Sequence, residues 1–305
     1  MDKYAVNWTP SLIASAEAYL KLVNECVQRA VPGGSKKKGH AIHVDPCGSF
    51  LLRTNIFSSP YTSIQVDEGL GVDMCVTMPE GSCSLDDVQD GNYFVKRELF
   101  LSQIKSILEK ELVGKLAASE PETQALLTMV PFHHDISKHF IRVVFGSMAS
   151  VDSQDSGKPR VCVNIHCRPS AVGARIAAEK AIEKHALYSQ LVLEDFLMPD
   201  HMKRFHANCA SVNHLTKVIV FLKSWAAHVG VIGSTCPTAL NGYHVTSIIM
   251  KLVEDGILTS SLSEENMIRA IWVHLAKTPC SEALPPSCRF TGETYNTLYR
   301  VSASF

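Results

Sequence analysis

Apolar residues at Ile13, Ala16, Leu20, Val23 and Val27 recur at helical spacing behind Thr9-Pro10, a usual helix start, so the chain is predicted to open on an amphipathic helix. Pro32 and the glycine pair Gly33-Gly34 break it. The segment HAIHVDPCGSFLLRTNIF then reads as a strand, a turn, and a short helix or strand opening at Gly48-Ser49. From Gly71 to Pro79 the pattern alternates with a period of two, placing Gly71, Asp73, Cys75 and Thr77 on one face of a strand and Val72, Met74, Val76 and Met78 on the other. A polar loop, Glu80 to Asp90, precedes a long helix predicted from about Asn92 to Val113, with Phe94, Leu101, Ile104, Leu108 and Leu112 on its buried stripe. Two strands follow, Phe140 to Gly146 and Arg160 to Cys167, joined by a Ser/Asp-rich connector around Ser150 to Lys158. Beyond Ala171 the pattern turns helical, with stripes at Leu215, Val218, Ile219, Leu222 and Val229, at Val245 to Val253, and at Met267 to Leu275 behind the N-cap Ser263.

These elements make an α+β half followed by an α half, with a boundary near residues 170 to 190; residues 1–185 and 186–305 are taken as the two domains. The last stretch, with adjacent prolines at Pro285 and Pro286, has little apolar periodicity and reads as a loop, the second domain being truncated there. The 29 basic and 30 acidic residues nearly cancel, so no global field draws the molecule to nucleic acid or an anionic membrane, and any RNA contact has to be local. Ten cysteines stand singly, without a C-x-x-C pair, which predicts reduced thiols in an intracellular protein. No apolar run approaches the ~20 residues of a bilayer span, since Lys217, Lys223 and His228 interrupt the most apolar stretch. His40-x-x-His43 is the only compact ligand pair, and without a second pair at finger spacing no structural zinc is expected.

The order helix, Gly-Ser, acidic strand, long helix and further strands resembles a nucleotidyltransferase palm. In that fold Gly-Ser opens a helix whose N-terminus holds nucleotide phosphates. Two carboxylates spaced D-x-D share a face of the next strand and clamp catalytic metal. Here the Gly-Ser is Gly48-Ser49, but the strand supplies Asp73 alone, with Gly71 and Cys75 where its partner would stand. The strand due to carry a third acid offers Asn164 and His166, poor ligands for magnesium.

Longer matches resemble the Nrap (nucleolar RNA-associated protein) family. Val72, Asp73, Thr77, Met78 and Pro79 match its V-D-x-x-x-T-M-P strand, and Tyr93, Phe94, Lys96 and Arg97 its Y-F-x-K-R helix. GSFLLRT is similar to its G-S-x-L-L-G-T, with Arg53 in place of a glycine. Tyr188, Val192, Leu193 and Asp195 match a segment Y-N-x-x-V-L-x-D, and Leu222, Lys223 and Trp225 a helix L-L-K-x-W. LNGYHVTSIIMKLV resembles the family's G-F-x-x-S-M-L-x-x-L-L stretch. The resemblance runs in order from about residue 45 to 277, and family members repeat this pair of domains, of which these 305 residues would be the first.

The resemblance implies a nucleotidyltransferase-like palm, a mixed sheet flanked by helices, followed by an all-α domain like that of poly(A) polymerases and oligoadenylate synthetases. It implies a non-enzymatic scaffold of the nucleolar small-subunit processome, associated with pre-ribosomal RNA and other assembly proteins, with no cofactor, metal, membrane or small-molecule substrate. Gly48, Ser49 and Asp73 would then be a vestigial nucleotide pocket, and Lys36, Lys37 and Lys38 in a Gly-rich loop either an RNA contact or a solvated loop. The competing readings are an active template-independent nucleotidyltransferase that draws its missing acid from Asp67 or Glu68, and a nucleotide sensor without turnover. Arg97 is expected to pair with a loop acid such as Asp86, Asp87 or Asp90, and Trp225 and Trp272 to anchor the core or a domain interface. His133, His134 and His139 form no triad with a nucleophile.

Overall fold

The computed structural model describes residues 6, 8–30, 43–55, 69–79, 82–119, 123–133, 138–147, 160–169, 186–229 and 242–277. Lys36, Lys37, Lys38, His40, Asp67, Glu68 and His134 lie outside the described residues. In chain order the elements are α1 (Pro10–Ala30), β1 (Val44–Cys47), β2 (Gly69–Thr77), α2 (Leu85–Gln89), α3 (Tyr93–Ser119), β3 (Thr123–His133), β4 (Lys138–Ser147), β5 (Arg160–Arg168), α4 (Ala186–Ser211), α5 (Leu215–His228), α6 (Gly242–Glu254) and α7 (Glu264–Lys277). The expected class is what they form: a mixed sheet with helices, followed in sequence by helices alone. The chain divides into two compact units, one holding residues 7–47 and 67–183 and the other residues 1–6, 48–66 and 184–305.

In the first unit the sheet order is β1-β2-β5-β4-β3, with β2 and β5 parallel and every other neighbour antiparallel. The face bearing Val72, Val76, Val163, Ile165, Ile141 and Val143 is fully buried, and α1 and α3 pack on the sheet. Helix α1 begins where its polar punctuation puts it: the Thr9 hydroxyl accepts from the Leu12 N–H at 3.2 Å. Tyr19 of α1 stacks on Phe145 of β4, ring centroids 4.2 Å apart. Leu101, Ile104, Leu108 and Leu112 of α3 are buried, each contributing roughly 1.5–3 kcal/mol through removal from water.

Helix α3 adds contacts that the sequence does not reveal. Arg97 is buried, and it donates from Nε to the Cys167 carbonyl at 3.3 Å and from Nη1 to the His139 carbonyl. Asp87 is held by a capping box with Ser84 at the start of α2, and Lys96 lies 4.0 Å from it. The physical reason is helical phase: Arg97 lies four residues from both Tyr93 and Leu101, both buried, so its side chain is carried into the unit. Tyr93 donates to the same Cys167 carbonyl at 3.4 Å. Strand β3 is not predicted by the sequence pattern, and α3 runs six residues past its predicted end at Val113.

In the second unit α5 buries Leu215, Val218, Ile219 and Leu222 of the predicted stripe, while Val229 falls at its C-cap and is half-buried. Ser263 caps α7, accepting from the Asn266 N–H at 3.3 Å. Trp225 of α5 meets Trp272 of α7 edge to face at 4.5 Å, both side chains half-buried.

Arg97→Ala is expected to lower unfolding stability by on the order of 3 kcal/mol, because one buried and one part-buried carbonyl lose a charged donor. Arg97→Lys should recover little, since one ammonium cannot reproduce a planar fork. Urea denaturation of the three proteins measures both effects, and an Arg97→Ala midpoint equal to wild type would remove the anchoring role.

Candidate functional site

Period two sends Asp73, Cys75 and Thr77 of β2 to the sheet face opposite the one that buries Val72 and Val76. The parallel register sets Asn164, His166 and Arg168 of β5 directly beside them, Asp73 against Asn164, Cys75 against His166 and Thr77 against Arg168. Antiparallel pairing adds Arg142 of β4 beside Asn164, and Asp45 of β1 beside Cys75. Four strands therefore contribute to one polar row.

Its bonds are specific. Asn164 Nδ2 donates to Asp73 Oδ1 at 2.9 Å, and Arg142 Nε donates to Asn164 Oδ1 at 3.0 Å. His166 Nε2 lies 3.6 Å from the same Asp73 oxygen. The His166 ring stacks on Phe140 at 5.1 Å, and the Arg142 guanidinium lies 5.3 Å from the Phe140 ring centre. Toward β1, Arg168 donates from Nε to Thr77 Oγ1 at 2.7 Å and from Nη2 to Asp45 Oδ2 at 3.0 Å. His43 Nε2 is 3.3 Å from Asp45 Oδ1.

The electrostatics follow from this row. Burial alone would push the Asp73 carboxyl up, but the hydrogen bond and charge of His166, the Asn164 amide and Arg142 together hold it below the ordinary carboxylate range. Burial drives the Cys47 thiol well above its usual value, with Cys75, Asp73 and Asp45 adding to the effect, so it stays neutral. Asp45 is a second carboxylate on this face that sequence reasoning missed, because only the β1–β2 register reveals it. It is tied to Arg168, and Asp73 to Asn164 and His166. Among the described residues no group of three or more His, Cys, Asp or Glu side chains is arranged to hold a metal ion.

Gly48 and Ser49 fall in the other unit. They open no helix, which corrects the expected short element there. Gly48 sits at φ 78°, the Thr54 N–H bonds the Ser49 carbonyl at 2.9 Å, and the Arg53 N–H bonds the Phe50 carbonyl at 3.1 Å. The cause is Arg53, whose φ of 55° is left-handed and ends any right-handed helical run. That is the position at which the Nrap pattern has glycine, the residue that adopts this backbone without strain. Arg53 keeps its place by laying its guanidinium 4.6 Å over the Phe50 ring.

The Ser49 hydroxyl accepts from Lys223 Nζ at 2.9 Å. The same ammonium donates to Thr54 Oγ1 at 3.2 Å and to the Thr54 carbonyl at 3.4 Å. Lys223 is buried in the middle of α5, one turn past Ile219. Three N–H donors thus find three oxygens. In the sequence Lys223 stands out only as part of a motif, because its bond to Ser49 spans 174 positions of chain.

Comparison with known proteins agrees with the motif reading. The family model described as Nrap protein domain 1 matches residues 42–211, more than half of the 305 residues. No curated protein matches the sequence. Among solved structures, the chain is similar to the GLD-2/RNP-8 complex at 7% identity and a TM-score of 0.48, over 90% of this chain and 73% of that one. It is similar to the cyclic AMP-GMP synthase DncV of Vibrio cholerae at 12% identity and a TM-score of 0.45, over 99% and 86%. It is also similar to terminal uridylyl transferase 4 from Trypanosoma brucei, bound to UTP and UpU, at 12% identity and a TM-score of 0.39, over 89% and 73%.

Two outcomes are expected of the site. Asp73 has a folded pKa below its unfolded value of about 3.9, so its share of stability is complete above that value and is lost as pH falls through the folded pKa. Urea midpoints of wild type and Asp73→Asn, followed from pH 5 down to the acid transition, should therefore diverge in slope below pH ~4, and parallel acid limbs would contradict the assignment. At Arg53, glycine should be tolerated to within about 1 kcal/mol, whereas valine, β-branched and forced to positive φ, should cost more than alanine. Thermal midpoints of the three variants give the order.

Proposed function

This chain belongs to the Nrap family, and from that premise we propose that it acts without catalysis, as an RNA-associated scaffold of ribosome assembly in the nucleolar small-subunit processome. Its partners in this reading are pre-ribosomal RNA and other assembly proteins, and its place is the nucleus and nucleolus.

One observation carries the non-catalytic half of the proposal: the amide of Asn164 occupies the position beside Asp73, bonded to it at 2.9 Å. Metal-assisted nucleotidyl transfer needs paired anionic oxygens to clamp the attacking and leaving groups. Here the strand neighbours of Asp73 on its own face are Gly71 and Cys75 on β2, Cys47 on β1 and Asn164 on β5. None of these is an anionic oxygen ligand. Arg142 further supplies a fixed positive charge to the Asn164 amide, opposing a cation at the same place. The ribosome-assembly half rests on the family resemblance, supported by the matched stretch from 42 to 211. The alternative, template-independent nucleotide addition to RNA, needs a carboxylate beyond Asp45, which is tied to Arg168, and would take it from Asp67 or Glu68.

Radiolabelled NTP with an RNA primer and magnesium separates the two. The proposal expects no incorporation above a no-protein control, and incorporation abolished by Asp73→Ala would establish the enzyme instead. Crosslinking and sequencing of RNA bound in cells should recover pre-ribosomal RNA. For the RNA contact we assign Lys36, Lys37 and Lys38, the densest cationic run of the chain. Replacing all three by alanine should flatten the dependence of log affinity on log salt by about 0.7 to 0.9 for each phosphate that is no longer neutralised, with little change in sequence preference. An unchanged slope would move the RNA-binding surface elsewhere.

A further inference from the structure

The sheet ends on β3, which pairs with β4 alone among the described residues. Edge strands leave a row of backbone N–H and C=O groups without a ladder, and natural proteins usually guard them with charge, proline or a short length. Strand β3 has little of this. It runs eleven residues, Thr123–His133, without Lys, Arg, Asp or Glu, and its proline comes only at position 131, where the pairing with β4 becomes irregular. Residues 124–130 are therefore an uninterrupted uncharged stretch of this edge. At its middle Leu126 is 61% exposed, the most exposed large apolar side chain of the described residues.

The distribution of side chains along this edge says what fits it. On one face Gln124, Leu126 and Thr128 are exposed in the order polar, apolar, polar, symmetric about Leu126. On the other face Ala125 and Leu127 flank the same centre, and Thr123 and Met129 lie beyond them. A second β3 laid antiparallel with Leu126 opposite Leu126 sets Gln124 against Thr128 twice and Ala125 against Leu127 twice. Apolar then meets apolar and amide meets hydroxyl at each of these positions, the pairings that favour strand association. A twofold axis through Leu126 closes the assembly after two copies.

We propose that β3 is a self-association edge at which a second copy of this chain adds antiparallel in the register Leu126 to Leu126, making one continuous sheet across two molecules. The inference is independent of the family role. A single strand pair buries less than the ~1,200 Å² of a standard interface, so the dimer is weak, dissociating in the micromolar range or above.

Sedimentation equilibrium of the reduced chain over roughly micromolar to hundreds of micromolar concentration tests it. The weight-average mass should rise from one chain toward two and stop there. Leu126→Lys opposes two like charges at the axis and should raise the dissociation constant at least ~10-fold, with a thermal midpoint unchanged because the side chain is already in solvent. Register is read by crosslinking: Leu126→Cys should form the 126-to-126 disulfide under mild oxidation, identified by peptide mass, whereas Gln124→Cys should link only when mixed with Thr128→Cys. A wild type that stays monomeric throughout, a dimer indifferent to Leu126→Lys, or a disulfide pattern of another register would each overturn the proposal. So would exclusive occupation of the edge by a strand of a different protein.

Discussion

A carboxylate set inside a sheet has to be neutralised by whatever its neighbouring strands place beside it, and in this protein that neighbour is an amide backed by an arginine. The parallel pairing of β2 with β5 puts Asn164 against Asp73, and Asn164 is held on its other side by Arg142 of β4. The amide is amphiprotic: its nitrogen donates to the acid and its oxygen accepts from the base. It relays charge compensation across three strands that a divalent ion would otherwise supply from solvent. What the site does chemically follows from that bond, because a carboxylate satisfied from within the sheet has little to gain from binding metal.

The covered side of the sheet keeps this row in register. Arg97 reaches from α3 to the carbonyls of Cys167 and His139, which are the chain neighbours of His166 and Phe140, the stacked pair in the polar row. One buried guanidinium therefore fixes the backbone of β4 and β5 directly behind the residues that surround Asp73. The helices supply apolar cover, and the buried Arg97 among them supplies position. Removing either leaves the other without purpose: a sheet free to slide cannot hold a 2.9 Å bond between side chains of different strands.

Much of this was legible in the sequence, and what was not shares a cause. The alternation from Gly71 to Pro79 placed Asp73 and Val72 on opposite faces, and the stripes of α1, α5 and α7 fell where the periodicity put them, because both signals are local. The absence of a D-x-D was plain from the same strand. Strand β3 was hidden because Leu126-Leu127 breaks its alternation and Pro131 reads as loop. Asp45 escaped notice because only strand pairing brings it to the face of Asp73. The bonds of Arg97 to the Cys167 and His139 carbonyls were hidden because those strands are distant in sequence, although the helical phase of Arg97 already points to burial. Arg53 at a glycine position was visible as a departure, but the left-handed backbone that explains it was not.

The composition of the two compact units has a consequence for how the molecule can be divided. Residues 48–66 belong with 184–305 rather than with the strands on either side of them, so the chain leaves the sheet unit after Cys47, returns at Asp67, and leaves again after Glu183. A fragment ending at residue 185 would keep Ser49 and Thr54 and discard Lys223, stranding acceptors that the intact chain satisfies. The complementary fragment would carry a buried ammonium with those oxygens gone. Neither piece is a minimal module, and a functional half of this protein would have to be built by excising and rejoining segments rather than by a single cut.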